Sequence, residues 1–378
     1  MPTCAPDTWL PAELTHAGGD AHVVIAMSGG VDSSLAAVLV KRAGLRCSAL
    51  FMKNWHEAAD TGHCHWEDDV ADALAVCERL DIPINTVDFS AEYQQRVFAD
   101  FLAEYERGRT PNPDVLCNRE IKFKAFLDHA RALGGDYIAT GHYVRRGRHD
   151  GQFSLDKGVD ASKDQSYFLY TLGQRELARA LFPVGGMNKA AVRAAAHSAG
   201  LATAAKKDST GICFIGERPF REFLSAYVAA TPGDVVTLDG RCIGRHHGAV
   251  YYTLGQRQGL GIGGVRGAAE APWFVVAKDV ARNELTVVQG HDHPALLSRR
   301  LRASALNWVA GSPPTLPLHC TAKTRYRQRD QACVVAALDD DTVEIAFVAP
   351  QRAVTPGQSV VFYQGEQCLG GGIIDETA

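Results

Sequence analysis

The chain reads as an α/β protein in three parts: a Rossmann-like domain built on a parallel sheet, a small mixed central domain, and a C-terminal antiparallel β-barrel. Three observations predict this. Up to residue 142, short apolar runs alternate with amphipathic stretches, the pattern of a parallel sheet with helices on both faces. From about residue 220 one helix is followed by short strands and Gly-rich turns. From about residue 290 six or so strand-like runs follow at short spacing, which suggests a small barrel. The divisions expected are an N-terminal extension at 1–20, the parallel-sheet domain at 21–218, the central domain at 219–289 and the barrel at 290–378.

The elements follow in order. Ala21 to Ile25 is an apolar run that reads as a buried strand. Leu35 to Gly44 reads as a helix closed by its glycine. Cys47 to Met52 is the second strand, Glu67 to Leu80 an amphipathic helix, and Ile84 to Val87 the third strand. Two long helices are expected at Ala91 to Glu106 and Glu120 to Leu133, and a fourth strand at Asp136 to Thr140. Tyr143 to Arg146 and Gln152 to Leu155 flank His149-Asp150-Gly151, a hairpin signal. Helical stretches follow at Lys163 to Ser166, near Arg175 to Ala180, and at 188–199, with Asn188 as N-cap and Gly200 as C-cap. Gly259 to Gly264 is a formal G-x-G-x-x-G, but no helix can open behind it, so the dinucleotide reading fails. The barrel strands expected include Cys320 to Tyr326, Ala332 to Leu338, Val343 to Phe347, Ser359 to Tyr363 and Cys368 to Ile374.

The chain has 378 residues, 46% hydrophobic and 22% charged, which suits a globular protein of two or three domains. No run of 18 apolar residues occurs, so no membrane span or membrane partner is expected. Met1 to Asp20 lack an apolar h-region, so no secretory signal is read and the cytoplasm is the default. Those twenty residues read as a loose extension. The ten cysteines include no C-x-x-C pair, which argues against a zinc ribbon or thioredoxin motif. His63-Cys64-His65 is read as a loop rather than a metal centre. The net charge is −4, so nucleic-acid binding must rest on local basic patches. Those patches are Arg145-Arg146-Arg148, Lys206-Lys207, Arg299-Arg300-Arg302 and Lys323-Arg325-Arg327-Arg329.

The most informative stretch is Ala26-Met27-Ser28-Gly29-Gly30-Val31-Asp32-Ser33-Ser34. It carries a strand into a helix N-terminus, where backbone N–H groups and the helix dipole favour an anion. The glycines allow close backbone approach, and the hydroxyls can donate to phosphate oxygens. Asp32 would repel a bare phosphate, so it reads as a Mg²⁺ ligand. No Gly-Lys-Ser/Thr occurs, so this is not a Walker A loop. Met52 and Gly141-His142 lie at other strand ends and can converge on the same place.

A second centre involves sulfur. Thr110-Pro111-Asn112-Pro113-Asp114 leads stiffly to Cys117 at an expected helix start, with Arg119 and Lys122 near. A helix N-terminus and cations favour thiolate, and Asp114 can serve as general acid or base. Cys213 sits in Gly211-Ile212-Cys213-Phe214-Ile215-Gly216, after Lys206-Lys207. Taken alone, each cysteine reads more readily as a packed structural thiol than as a catalytic one.

The loop at 26–34 resembles the SGGxDS loop of the PP-loop ATP-pyrophosphatase superfamily. With Asn112-Pro113-Asp114, Cys117-Asn118, Ala139-Thr140-Gly141-His142-Tyr143, Lys163-Asp164-Gln165-Ser166, Gly211 to Gly216 and Arg325-Tyr326 in order, the chain from about residue 21 resembles the bacterial-type tRNA-specific 2-thiouridylase family. The resemblance implies that Ala26, Met27, Ser28, Gly29, Gly30, Val31, Asp32 and Ser33 hold ATP, with Met52 and Gly141 shaping the nucleotide site and Mg²⁺ at Asp32. It implies that Asn112, Pro113 and Asp114 face the target base, and that His142, Lys163, Asp164, Gln165, Arg325, Tyr326 and Gln358 touch tRNA. Cys213 would carry a persulfide from a sulfur-carrier protein or cysteine desulfurase, Cys117 would be the nucleophile that attacks it, and the two would end as a disulfide. Residue 26 is Ala where Gly is common in the family; either small residue fits. The alternatives are a PP-loop ligase or amidotransferase acting on a small substrate, which needs no persulfide cysteine, and a non-catalytic RNA-binding protein, which needs no intact phosphate loop.

Overall fold

The computed structural model describes residues 10–55, 65–208, 220–263, 270–339 and 341–377. The first sheet contains β1 (His22–Met27), β2 (Arg46–Lys53), β3 (Ile84–Asp88) and β4 (Tyr137–Ala139). β5 (Val144–His149) and β6 (Gln152–Lys157) form the expected hairpin, and β7 (Ala180–Leu181) returns to the first sheet. Its order is β3-β2-β1-β4-β7, and every pairing is parallel. β1 is central and buries Val23, Val24, Ile25 and Met27, as a strand covered on both faces must. The chain turns outward in opposite directions from β1, so the crevice between the ends of β1 and β4 is where a parallel sheet of this order binds ligands.

The helix after β1 runs Val31–Arg42, four residues earlier than the apolar pattern alone indicates, so Val31 to Ser34 are its first turn. Helix His65–Leu80 covers the sheet beside it. The two long helices expected next are present, but each contains a π-helical segment, Gln94–Phe98 in the first and Asn118–Ala125 in the second. The second also begins earlier than expected, at Pro113, whose missing N–H and fixed φ suit a first helical position. Helix Lys189–Ser198 starts where expected, with the Asn188 side chain accepting from the Ala191 N–H. The helix expected near Arg175 to Ala180 is present at Gln174–Leu177, and the two-residue β7 that follows it is not an expected element; so short a strand carries no periodicity to read.

The middle sheet holds β8 (Gly233–Val236), β9 (Cys242–His246), β10 (Trp273–Asp279) and β11 (Glu284–Gln289) in the order β10-β11-β8-β9. Its β11–β8 pair is parallel and its other pairs antiparallel, so it is mixed. The C-terminal strands are β12 (Leu297–Trp308), β13 (Leu318–Lys323), β14 (Gln331–Ala337), β15 (Val343–Arg352), β16 (Ser359–Gln364) and β17 (Gln367–Thr377). They run β12-β15-β14-β13-β16-β17, and β17 pairs back onto β12, which closes the barrel and removes its edges. Inside it Leu301, Val335, Ile345, Val360, Phe362 and Ile374 form one core. The hairpin β5–β6 leaves its own domain and adds to β17, with Leu155 opposite Cys368.

The N-terminal extension is not loose in its described part. Ala12–Thr15 form one helical turn, Leu14 is 1% exposed, and the Glu13 Oε1 accepts the Phe182 N–H at 2.6 Å. Burial pushes the Glu13 carboxyl up to about 7, against the opposing pull of Arg146. A folded-state value above the ordinary 4.5 means that this contribution to stability is complete below that pH and is lost as pH rises through about 7. Glu13→Gln keeps the acceptor and removes the charge. It is expected to be more stable than the parent at pH 8 by about 3 kcal/mol and level with it near pH 4.5, read from denaturant midpoints at both pH values. Equal midpoints at pH 8 refute the buried-carboxylate account.

Candidate nucleotide and sulfur-transfer site

The loop at 28–30 joins the end of β1 to the helix Val31–Arg42. Ser28 N–H donates to Ser33 Oγ at 3.2 Å, and the hydroxyls of Ser33 and Ser34 both donate to the Gly30 carbonyl, at 3.0 and 2.8 Å. These bonds fold the loop over the first helical turn, where the Ser34 N–H donates to the Gly30 carbonyl at 3.1 Å and the N–H groups ahead of it have no partner within the helix. Gly141, just after β4, lies so close that a Cβ there would be 2.7 Å from the Ser33 nitrogen. The two strand ends thus touch through a glycine, and any larger residue would separate them. Met27 is buried under the loop, Ala26 is half-buried, and Met52 packs against the main core from the end of β2.

Asp32 faces this crevice. Its Oδ1 accepts the Tyr143 hydroxyl at 2.6 Å, and both its oxygens lie 2.8 Å from Lys189 Nζ. Burial and the facing Asp32 carboxylate hold the Tyr143 hydroxyl well above the usual phenol range, so it stays a donor. Lys189 Nζ also lies 2.8 Å from Asp208, which Lys163 (2.5 Å) and Arg193 (2.7 Å) approach as well. Burial alone would raise the Asp208 carboxyl, but hydrogen bonds from Lys163 and Lys189 outweigh it and hold it at about 2. Lys189, Asp208 and Arg193 were not read as site residues. Asp32 and Lys189 are 157 residues apart, and no local pattern couples them.

The Gly141-His142-Tyr143 turn links this crevice to the second centre. Tyr143 exchanges backbone bonds with Gln165, through the Gln165 side chain at 2.9 Å and the Gln165 N–H at 3.1 Å. His142 bonds Thr140 Oγ1 at 2.9 Å, and its ring lies 5.7 Å from that of Phe123. Burial, aided by the Lys122 charge, drives its imidazole far below the ordinary range, so it is neutral.

Cys117 is 0% exposed, packed in the core cluster with Val115, Ile121 and Phe123. Because its helix starts at Pro113, Cys117 sits at the fifth position, beyond the first turn, and a π segment begins at the next residue. The expected helix-start placement is therefore corrected: Asn112 is the N-cap, buried Pro113 and half-buried Asp114 occupy the first turn. Arg119 does not turn to the thiol; it pairs with Glu120 at 2.9 Å. Asn118 donates to the Phe168 carbonyl at 3.2 Å, and Tyr326 from the barrel packs on the Phe168 ring at 4.5 Å. A barrel ring thus reaches the neighbourhood of Cys117. The expected partner thiol, Cys213, lies outside the described residues, as does the whole of Gly211 to Gly216.

Other residues expected to touch tRNA have different immediate partners. Asp164 is buried, accepts from Gly158 and Ser166, and pairs with Lys323 at 3.3 Å; its carboxylate is used inside the protein. The Gln358 amide donates to the Thr110 and Pro111 carbonyls at 2.8 and 3.2 Å, so it clamps the chain entering Asn112. Arg325 is exposed and donates to the Arg352 carbonyl. The basic runs are largely compensated: Arg300 pairs with Glu344, Arg302 with Glu376, Arg145 with Glu366, and Lys206 with Asp69 and Asp72. Arg327, stacked 5.3 Å over Tyr326, is exposed.

Comparison with known proteins matches this architecture part by part. A family model described as the tRNA methyl transferase HUP domain matches residues 21–217. A PRC-barrel domain model of the same series matches 221–289, and an aminomethyltransferase β-barrel domain model matches 298–374. A curated relative from Methylococcus capsulatus, the tRNA-specific 2-thiouridylase MnmA, is 59% identical over 358 residues, 94% of this chain and 96% of that protein. The MnmA of Nitrosomonas eutropha is 58% identical over 94% of this chain and 99% of its own length, and that of Pasteurella multocida 57% over 97% and 96%. Likeness this high, spanning all three sheets from end to end, leaves no room for the small-substrate ligase or the non-catalytic RNA binder: the chain belongs to the tRNA-specific 2-thiouridylase family.

Proposed function

We propose that this chain is a tRNA-uridine 2-sulfurtransferase that uses ATP to activate O2 of the wobble uridine and replaces that oxygen with sulfur from a cysteine persulfide. The observation that carries the reading is the crevice itself: a strand-to-helix loop whose Asp32 meets the Lys189 ammonium, joined through Tyr143, Gln165 and Phe168 to Asn118 beside Cys117. The fit to a triphosphate rests on the donors of the first helical turn, with Gly141 packed so close to that turn that any side chain there would collide with the Ser33 nitrogen. Among the described residues no three metal-ligating side chains cluster. Asp32 alone therefore fits a Mg²⁺ that arrives with phosphate oxygens and water supplying its other ligands.

ATP, when bound, supplies the activation: adenylated O2 leaves as AMP, which uridine oxygen by itself cannot do. The chain does the rest. Ser28 to Ser33 hold the phosphates, and Asn112 to Asp114 face the base, with Asp114 moving the proton. The terminal sulfur of a Cys213 persulfide attacks C2 and AMP departs. Cys117 thiolate then attacks the Cys213 sulfur, forming a Cys117–Cys213 disulfide and leaving the transferred sulfur on C2. Two electrons from a thiol reductant restore the pair. The burial of Cys117 keeps water and adventitious thiols from the exchange. Anticodon bases are already partly unstacked, so bringing one into the pocket costs little. Tyr326 offers a stacking ring and Arg325 and Arg327 offer phosphate contacts. No described helix is long and apolar enough to cross a membrane.

The test is mass spectrometry of wobble nucleosides after incubation with tRNA, ATP, Mg²⁺ and a persulfide source. 2-Thiouridine should appear together with tRNA-dependent pyrophosphate. Pyrophosphate released equally well without tRNA, and no thiolated nucleoside, overturns the assignment.

A further inference from the structure

Lys189 is held in an unusual way. Its Nζ sits 2.8 Å from both Asp32 oxygens and 2.8 Å from Asp208 Oδ1, and its side chain is only 13% exposed. Its backbone is pinned at a helix start, where its N–H donates to Asp160 Oδ2 at 2.9 Å and Asn188 caps the turn. The four-carbon stem is the flexible part of the residue.

The two carboxylates depend on it unequally. Asp208 also pairs with Lys163 and Arg193, so it keeps two cations if Lys189 leaves. Asp32 has no cation but Lys189 among the described residues; its other partner is the Tyr143 hydroxyl. A half-buried carboxylate beside a phosphate-binding loop cannot go without a counter-charge, because both its neighbours and its ligand would be anionic. A divalent cation that takes Asp32 would compete with the Lys189 ammonium for the same two oxygens.

We propose that Lys189 is an exchangeable cation of the nucleotide site: it bridges Asp32 and Asp208 while the site is free of nucleotide, cedes Asp32 to the divalent ion that enters with ATP, and then pairs with the triphosphate. The proposal rests on the ATP reading above. It makes Lys189 a binding residue for phosphate and a competitor of the metal, in one side chain.

Lys189→Met keeps the stem and removes the charge. In the full-length protein without nucleotide, Mn²⁺ alone should leave the melting temperature of the parent unchanged. It should raise that of Lys189→Met, where Asp32 is left without its cation while Asp208 keeps Lys163 and Arg193. Affinity for a non-hydrolysable ATP analogue with Mg²⁺, read by equilibrium binding, should fall about tenfold or more in the variant, the loss of one charge-assisted contact. Absence of either effect in the folded variant overturns the proposal. Should Lys189→Met fail to fold by circular dichroism, Lys189→Gln, which can still bond both carboxylates' neighbours, is judged on the same two readings. A parent protein that binds no ATP analogue overturns the nucleotide reading and this proposal with it; normal parent binding with an unchanged variant overturns this proposal alone.

Discussion

Cys117→Ser is expected to cut 2-thiouridine formation by roughly 10³-fold or more, as loss of a nucleophile does elsewhere, while tRNA-dependent pyrophosphate release continues for the first turnover. The reason lies in the order of bond changes. In the proposed sequence of steps, adenylation and attack by a Cys213 persulfide do not need Cys117; only cleavage of the S–S bond does. A serine hydroxyl cannot perform thiol exchange, because it is neither ionised nor sulfur-bonding at neutral pH. Cys117→Ser should therefore trap tRNA on the protein as a reducible adduct, visible on a denaturing gel and released by dithiothreitol. Cys213→Ser should also stop thiolation, yet give no adduct, while binding ATP and tRNA nearly as the parent does. The adduct forming on Cys213→Ser instead would exchange the two roles. Undiminished 2-thiouridine in either variant would remove that thiol from the chemistry. Since Cys117 is fully covered by Val115, Ile121, Phe123 and their neighbours, the buried hydroxyl costs about 1–3 kcal/mol of stability, so folding is checked by melting alongside.

What could be read from the sequence, and what could not, divides along chain distance. The phosphate loop was legible because strand, glycines, hydroxyls and helix lie within about twenty consecutive residues. The parallel sheet and the barrel were legible because each strand declares its own period. The long polar strand β12 was not named, since Arg299, Arg300 and Arg302 read as a phosphate-binding run. In the fold two of them are spent on Glu344 and Glu376 across neighbouring strands. The same holds for Asp164 with Lys323 and for Gln358 with the Thr110 carbonyl, 159 and 248 residues apart. Each such side chain is polar and motif-borne, and nothing local says whether its partner is RNA or another part of the chain. The Lys189 bridge belongs to this class too. A barrel residue, Gln358, that bonds the segment before Asn112 also means that the barrel and the parallel-sheet domain are joined there, which no single segment could disclose.

Two adjacent glycines in the loop give opposite expectations. Gly29 has φ +71°, and a Cβ there would lie 2.2 Å from the Asp69 carbonyl oxygen and 2.8 Å from Asp69 Cα. The obstacle is backbone of the helix His65–Leu80, further tied by the Asp69–Lys206 pair at 2.7 Å, so it cannot swing aside as a side-chain tip would. Gly30 has φ −90° and ψ 161°, ordinary extended backbone, and its Cβ would meet nothing nearer than Ser28 Oγ at 3.6 Å. Gly29→Ala should therefore lose roughly 2–5 kcal/mol from left-handed strain and overpacking together. Any molecules still folded would carry the loop displaced by a sizeable fraction of an ångström, which lowers adenylation about 10²-fold. Gly30→Ala should melt within about 1 kcal/mol of the parent, the size of a cap substitution. Denaturant midpoints for the two variants, with pyrophosphate release measured on each, decide the matter. If Gly29→Ala proves as stable as Gly30→Ala, the loop is not wedged against the Asp69 backbone, and the helix His65–Leu80 must stand farther off than the clash requires.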